Sequence, residues 1–182
     1  MIKESREKNR LLIADDSKMN RKILKEILGD EYIVTEAKDG TEAIELLKKE
    51  EDSFSALLLD LNMPETNGYQ VLEWMNEEYV IERIPVIVIL AEDNHENIEK
   101  AYELGAMDYF TYPFDMFEIQ KRVAGTLNLY KKYENLIMAS KQVIYVCNSD
   151  YSRILYASDG FAASLMLKET IFMEKILIVI QV

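Results

Sequence analysis

From Leu11 to about Tyr130, short unbroken apolar runs alternate with longer stretches in which apolar residues recur every three or four positions. A strand that is apolar throughout needs cover on both faces, and a helix between successive strands supplies it. The pattern therefore predicts parallel strands beneath crossover helices, an α/β fold. Strands are predicted at residues 11–14, 32–36, 56–59, Val86–Leu90 and Asp108–Thr111. The first helix is predicted over 17–28, with Met19, Ile23 and Ile27 four apart on one face, Ser17 suited to its N-cap and Gly29 to its end. The second begins near Asp39 and Gly40 and carries Ala43, Leu46 and Leu47. In the fourth, Ile98, Ala101, Tyr102 and Gly105 keep helical spacing, and Gly105 suits a left-handed position just past the end. After Asp115 a helical stretch continues to about Lys141, with Val123, Leu127 and Tyr130 at helical spacing.

The chain of 182 residues is long enough for one ordinary domain and an appendage. Its 49% apolar and 30% charged residues fit a buried core and a solvated surface. Lysine and arginine total 21 against 33 acidic residues, and the net charge of −12 repels a phosphate backbone, which disfavours direct nucleic-acid binding. The single cysteine, Cys147, has no disulfide partner, and no Cys or His cluster has metal-ligand spacing. The charged amino terminus lacks the apolar core of a secretion signal, and no apolar run approaches the ~20 residues needed to span a bilayer. A cytoplasmic protein without a membrane association is expected.

Ligands of open parallel sheets gather at the carboxyl ends of the strands, and those ends are acidic here. Asp15 and Asp16 follow the first predicted strand and Asp60 follows the third, so the topology brings three carboxylates together from distant parts of the sequence. Each alone could be a solvated turn residue. Together they repel one another unless a cation intervenes, and an all-oxygen cluster suits Mg²⁺. With such an ion in place, one carboxylate can attack an activated phosphoryl group.

Four segments in order, LLIADDS (11–17), DLNMPETNG (60–68), IPVIVILA (84–91) and GAMDYFTYPF (105–114), resemble the receiver domains of two-component response regulators. The resemblance covers roughly residues 8 to 130 and implies a flavodoxin-like doubly wound sheet of order 2-1-3-4-5. It implies that Asp60 is the phosphoacceptor, that Asp16 binds Mg²⁺ directly and Asp15 largely through water, and that Asn62 contributes its backbone carbonyl. Tyr109 falls where the family carries an aromatic rotamer switch, although a half-buried strand tyrosine explains it equally well. The Tyr112–Pro113 bond is expected to be cis. The implied partner is a histidine kinase or phosphotransfer protein.

Two positions depart from the pattern. Receivers carry Ser or Thr at the end of the fourth strand, where this chain has Leu90, and Lys before the proline of the fifth-strand loop, where it has Tyr112. Leucine donates no hydrogen bond, and tyrosine offers a neutral hydroxyl in place of a mobile charge. A charge-assisted hydrogen bond is worth ~1.5–3 kcal/mol, so losing two such contacts could erase the coupling between phosphorylation and conformation. Two readings stand, an atypical receiver that takes phosphate but switches weakly and a phosphorylation-independent interaction module. An aspartyl-nucleophile phosphohydrolase is a distant third, because Asn62 stands where its second carboxylate would be needed. At most, self-phosphorylation and slow autodephosphorylation are expected, not an enzyme in the ordinary sense. His95, in the loop after the fourth strand, is expected to be a solvated helix-start residue.

Residues 131–141 are expected to form a helical linker. Beyond it, residues 142–147 and 153–157 look like two strands joined by the polar turn Asn148, Ser149 and Asp150, with a short helix from Asp159. This segment, 142–182, is similar to the opening of a PAS sensor domain, too short to close a pocket. A hairpin appendage packed on the receiver is the alternative. Unpartnered strand edges and the apolar run from Ile176 to Ile180 would favour a homodimer. If the tail is a separate PAS-like piece, deleting everything after Lys141 should leave the thermal unfolding of the receiver unchanged; a large loss of stability would instead assign an integral appendage.

Overall fold

The computed structural model describes residues 9–50, 53–91, 94–138, 145–147 and 154–157. In its first unit, which ends at Tyr130, five strands form one parallel sheet. They are β1 (Arg10–Ala14), β2 (Ile33–Ala37), β3 (Ala56–Asp60), β4 (Val86–Leu90) and β5 (Asp108–Thr111), in the order β2-β1-β3-β4-β5. Between and after them lie α1 (Lys18–Leu28), α2 (Gly40–Glu50), α3 (Gly68–Glu77), α4 (His95–Glu103) and α5 (Met116–Met138). This is the predicted doubly wound order, with strand bounds displaced by one residue at β1, β2 and β3.

The run-like composition of the central strands follows from burial on both sides. Every residue of β3 and β4 is buried, as are Leu11, Leu12, Ile13 and Ala14 of β1. Because side chains alternate across a strand, one set, with Leu12, Leu57, Leu59, Val86, Val88 and Leu90, joins Ala43, Leu47, Val71, Leu72 and Ala101 in one core. The other set, with Leu11, Ile13, Ala56, Leu58, Ile87 and Ile89, joins Leu24, Ile27, Leu28, Ile119 and Val123 in a second core on the opposite face. Full burial of each leucine or isoleucine contributes about 1.5–3 kcal/mol before conformational entropy is counted. The edge strands β2 and β5 are only partly buried, and their sequences are correspondingly mixed.

Local signals agree with these positions. Ser17 caps α1 by accepting from the Asn20 backbone N–H, and Asn67 and Gln70 form a reciprocal capping box on α3. Gly105, one residue past the Leu104 C-cap of α4, has φ +92°, the left-handed geometry expected of it. Gly29 ends α1 as its C-cap, with right-handed geometry at φ −65°. One expectation needs correction. The buried stripe of α1 runs through Leu24, Ile27 and Leu28, whereas Met19 is 72% exposed: the side of the helix turned toward the sheet carries Asn20, Leu24 and Leu28, which leaves Met19 in solvent.

In the second unit, β6 (Tyr145–Cys147) and β7 (Ile154–Ala157) pair antiparallel, with a register irregularity between Val146 and Cys147. The expected turn at Asn148, Ser149 and Asp150, the helix from Asp159 and the run from Ile176 to Ile180 lie outside the described residues.

The glycine that begins α3 is set by space. A Cβ on Gly68 would lie 2.4 Å from the Asp60 carbonyl oxygen and 2.7 Å from Leu61 Cα, both backbone atoms. Gly68→Ala should therefore cost about 1–3 kcal/mol in urea unfolding, because the end of β3 has to move; an unchanged midpoint would show that the loop accommodates the methyl group.

Candidate functional site

Parallel register sets the site. Ala14 pairs with Leu59, so Asp15 emerges from the carboxyl end of β1 beside Asp60, the last residue of β3, and Asp16 follows. One carboxylate oxygen from each of Asp15, Asp16 and Asp60 lies within 4.8 Å of the others. Asp15 is fully buried and Asp60 is 5% exposed, while Asp16 faces solvent. The turn after β3 aims the Asn62 backbone N–H at Asp60 Oδ1, 3.0 Å away.

Among the described residues no ion pair reaches these carboxylates. Burial, followed by the charges of Asp15 and Asp16, raises the Asp60 pKa to about 6 against the Asn62 N–H, which lowers it. Asp15 is also raised, chiefly by burial, although Tyr112, Ser17 and Asn20 donate to it. Such a cluster carries an uncompensated repulsion that a hard divalent cation would remove, and its oxygen-only donors suit Mg²⁺. Asp15, Asp16 and Asp60 would hold the ion.

The other predicted positions lie around this cluster. Leu90, 1% exposed, ends β4 within the core that contains Leu59, Leu61 and Met63. Tyr109 is half-buried on β5, edge-on to Tyr102 with ring centroids 6.2 Å apart, and the Arg122 guanidinium sits 5.4 Å from its ring centroid. The Tyr112–Pro113 peptide is cis. The Tyr112 hydroxyl donates to Asp15 Oδ2 at 2.8 Å, and its ring stacks at a tilt on Phe114, 4.6 Å away. It thus engages Asp15, whereas the lysine expected at this position would pair with Asp60. Burial, then the Asp15 hydrogen bond and the surrounding carboxylates, raise the Tyr112 pKa, so the hydroxyl keeps its proton. His95 is exposed at the start of α4.

Two residues were not foreseen from the sequence. Asn20 donates to both Asp15 oxygens, at 3.3 and 3.2 Å, and to the Tyr112 hydroxyl at 2.8 Å. Arg21 donates from Nη1 to the backbone carbonyls of Asp15, 2.7 Å, and Asp16, 3.2 Å, while its Nε lies 3.4 Å from Glu36. Glu36, held below the usual carboxylate range by Lys25 and Arg21, completes this tie between the acidic loop, α1 and β2. One signal for Asn20 was available: it lies four residues before Leu24 and eight before Leu28, on the stripe of α1 that faces the sheet.

A five-stranded parallel sheet with three carboxylates at its carboxyl edge defines an open α/β protein with an acidic cluster that could hold a cation. A family model for the response regulator receiver domain matches residues 11–124. The chain belongs to that family, the receiver domains of two-component response regulators. It is 36% identical over 120 residues to the transcriptional regulatory protein SrrA of Staphylococcus aureus, a match covering 65% of this chain and 48% of the relative. The chain thus spans about half the length of the curated relatives it matches. Among solved structures, a putative response regulator from Chloroflexus aurantiacus superposes with a TM-score of 0.63 at 28% identity, covering 67% of this chain and 99% of that one. The Vibrio cholerae chemotaxis protein CheY4, at 24% identity and a TM-score of 0.61, shares the fold over 66% of this chain and 99% of its own. Among the described residues no helix is long and apolar enough to cross a membrane.

The raised Asp60 pKa has a definite consequence for stability. In the unfolded chain an aspartate titrates near ~3.9, so the folded state binds the extra proton between that pH and about 6. The Asp60 contribution to stability therefore falls as pH rises through this window, and the burial penalty is fully present above it. In cation-free buffer, Asp60→Asn should gain ~1–3 kcal/mol over the native chain near neutral pH and little at about pH 4. Urea unfolding of both proteins across that range measures it, and parallel pH profiles would refute the assignment.

Proposed function

We propose that this chain is a phosphorelay receiver in which Asp60 accepts a phosphoryl group from a histidine kinase or phosphotransfer protein, with the usual conformational readout weakened. The single observation that carries the proposal is the convergence of Asp15, Asp16 and Asp60 at the carboxyl edge of the sheet. An Asp60 oxygen attacks phosphorus, the bond from phosphorus to the donor nitrogen breaks, and the leaving imidazole retains its electron pair and takes up a proton. The product is an aspartyl phosphate. Asp15, Asp16, Asp60 and the Asn62 carbonyl would hold a divalent cation, which would supply charge neutralisation on the transferring oxygens. Asn62 N–H orients the acceptor carboxylate, and the buried surroundings of Asp60 limit access of water.

The readout is a separate matter. Leu90 brings no hydroxyl to a phosphoryl oxygen, and the Tyr112 hydroxyl is committed to Asp15 and Asn20. This favours a second reading on the same fold, a protein-interaction or homodimerisation module whose surface does not depend on phosphate. A phosphohydrolase finds little support, since Asn62 carries no carboxyl group to act as acid or base. We take the chain to act in the cytoplasm, with residues 8–130 as the receiver, 131–141 as a linker and 142–182 as a partial PAS-like segment or hairpin appendage. Direct contact with nucleic acid by this acidic chain is disfavoured.

Incubation with Mg²⁺ and a small phosphodonor should give an acid-stable, base-labile mass increase that is absent in Asp60→Ala. Absence of any adduct in the native chain would leave the interaction module. With an adduct formed, the amide spectrum around β4 and β5 should change little on phosphorylation, and more in the Leu90→Thr/Tyr112→Lys variant.

A further inference from the structure

The hydrogen bonds around Asp15 form a closed ring that includes neither the acceptor nor a cationic side chain. Asn20 Nδ2 lies 2.8 Å from Tyr112 Oη and within 3.3 Å of both Asp15 oxygens. The Tyr112 hydroxyl in turn donates to Asp15 Oδ2 at 2.8 Å, and the Ser17 backbone N–H donates to Asp15 Oδ1 at 2.7 Å. An amide has two hydrogens, and here one serves the carboxylate and the other the phenol. A tyrosine hydroxyl has one hydrogen, which points to the carboxylate because its acceptor side is filled by Asn20. The donors thus enforce one another, and the Asp15 carboxylate has a single orientation.

We propose that Asn20 and Tyr112 are positioning residues that act as one unit to orient Asp15 toward a divalent cation. This inference rests on the cation-assisted reading above and extends it to residues that touch neither the acceptor nor the phosphoryl group. Carboxylates that serve metals are commonly held by outer hydrogen bonds, and loss of such partners typically weakens binding. Here the three members come from three places: Asp15 follows β1, Asn20 lies in the first turn of α1, and Tyr112 follows β5. The ring therefore fastens the loop after β5 to the cation-binding loop whether or not Asp60 carries phosphate. Tyrosine in place of lysine also adds no positive charge to compete with the ion.

The test is a Mn²⁺ titration of the full chain, followed by electron paramagnetic resonance, for the native protein, Asn20→Ala, Tyr112→Phe, the double variant and Asp60→Ala. Each single substitution at the ring should weaken Mn²⁺ binding about tenfold, and the double variant should lose little more than the larger single loss. Circular dichroism without cation establishes that each variant is folded, and Asn20→Ser replaces Asn20→Ala if the alanine variant is not. A loss of thermal stability with Mn²⁺ affinity within about twofold of native would assign the ring a merely structural role and overturn the inference. Tighter binding, or single losses that multiply in the double variant, would overturn it as well. If Asp60→Ala abolishes binding while the ring variants do not weaken it, only this inference fails; if the native chain binds no Mn²⁺, the cation-assisted reading fails with it.

Discussion

Burial of the three central strands on both faces is the constraint from which the site follows. A strand with no solvent side can change direction and carry polar groups only at its ends, and at the carboxyl end of this sheet those groups belong to β1 and β3. Parallel pairing fixes the register of those ends. Asp15 and Asp60 therefore meet without any direct bond between them: the apolar residues beneath hold them there.

That placement costs stability, and the cost is the chemical content of the site. Two carboxylates are removed from water with a third beside them at the rim, and burial first, then repulsion from Asp15 and Asp16, raises the Asp60 pKa. The surrounding structure offers neutral donors: the backbone N–H groups of Ser17 and Asn62, the amide of Asn20 and the phenol of Tyr112. These orient the carboxylates and partly compensate their burial, yet they supply no full positive charge. Arg21 approaches from behind, but its donors go to backbone carbonyls and toward Glu36. A cluster of this kind binds a proton or a metal ion in preference to remaining empty of both.

The replacements at the two switch positions differ in their structural consequences. Leu90 joins a continuous apolar cluster, so the end of β4 is closed by packing where a hydroxyl would have been available. Tyr112 remains polar, and its hydroxyl donates to Asp15. The first substitution removes a contact. The second places a neutral hydrogen bond from the loop after β5 on Asp15, beside Asp60.

Much of this was legible in the residues themselves. Runs such as VIVIL at β4 and ALLLD at β3 specify buried parallel strands, the positive φ at Gly105 answers to its place after α4, and the order of the acidic segments brings Asp15, Asp16 and Asp60 to one edge. These are consequences of periodicity and chain order, which local sequence carries. What only the tertiary structure decided is which side of α1 meets the sheet, and hence that Met19 stays in solvent while Asn20 turns inward, and which carboxylate Tyr112 reaches. Asn20 and Tyr112 are 92 residues apart, and a hydrogen bond between them depends on the rotation of one helix and the path of one loop to within an ångström. No pattern of residue types along the chain encodes that distance, because it is set by the packing of every element in between.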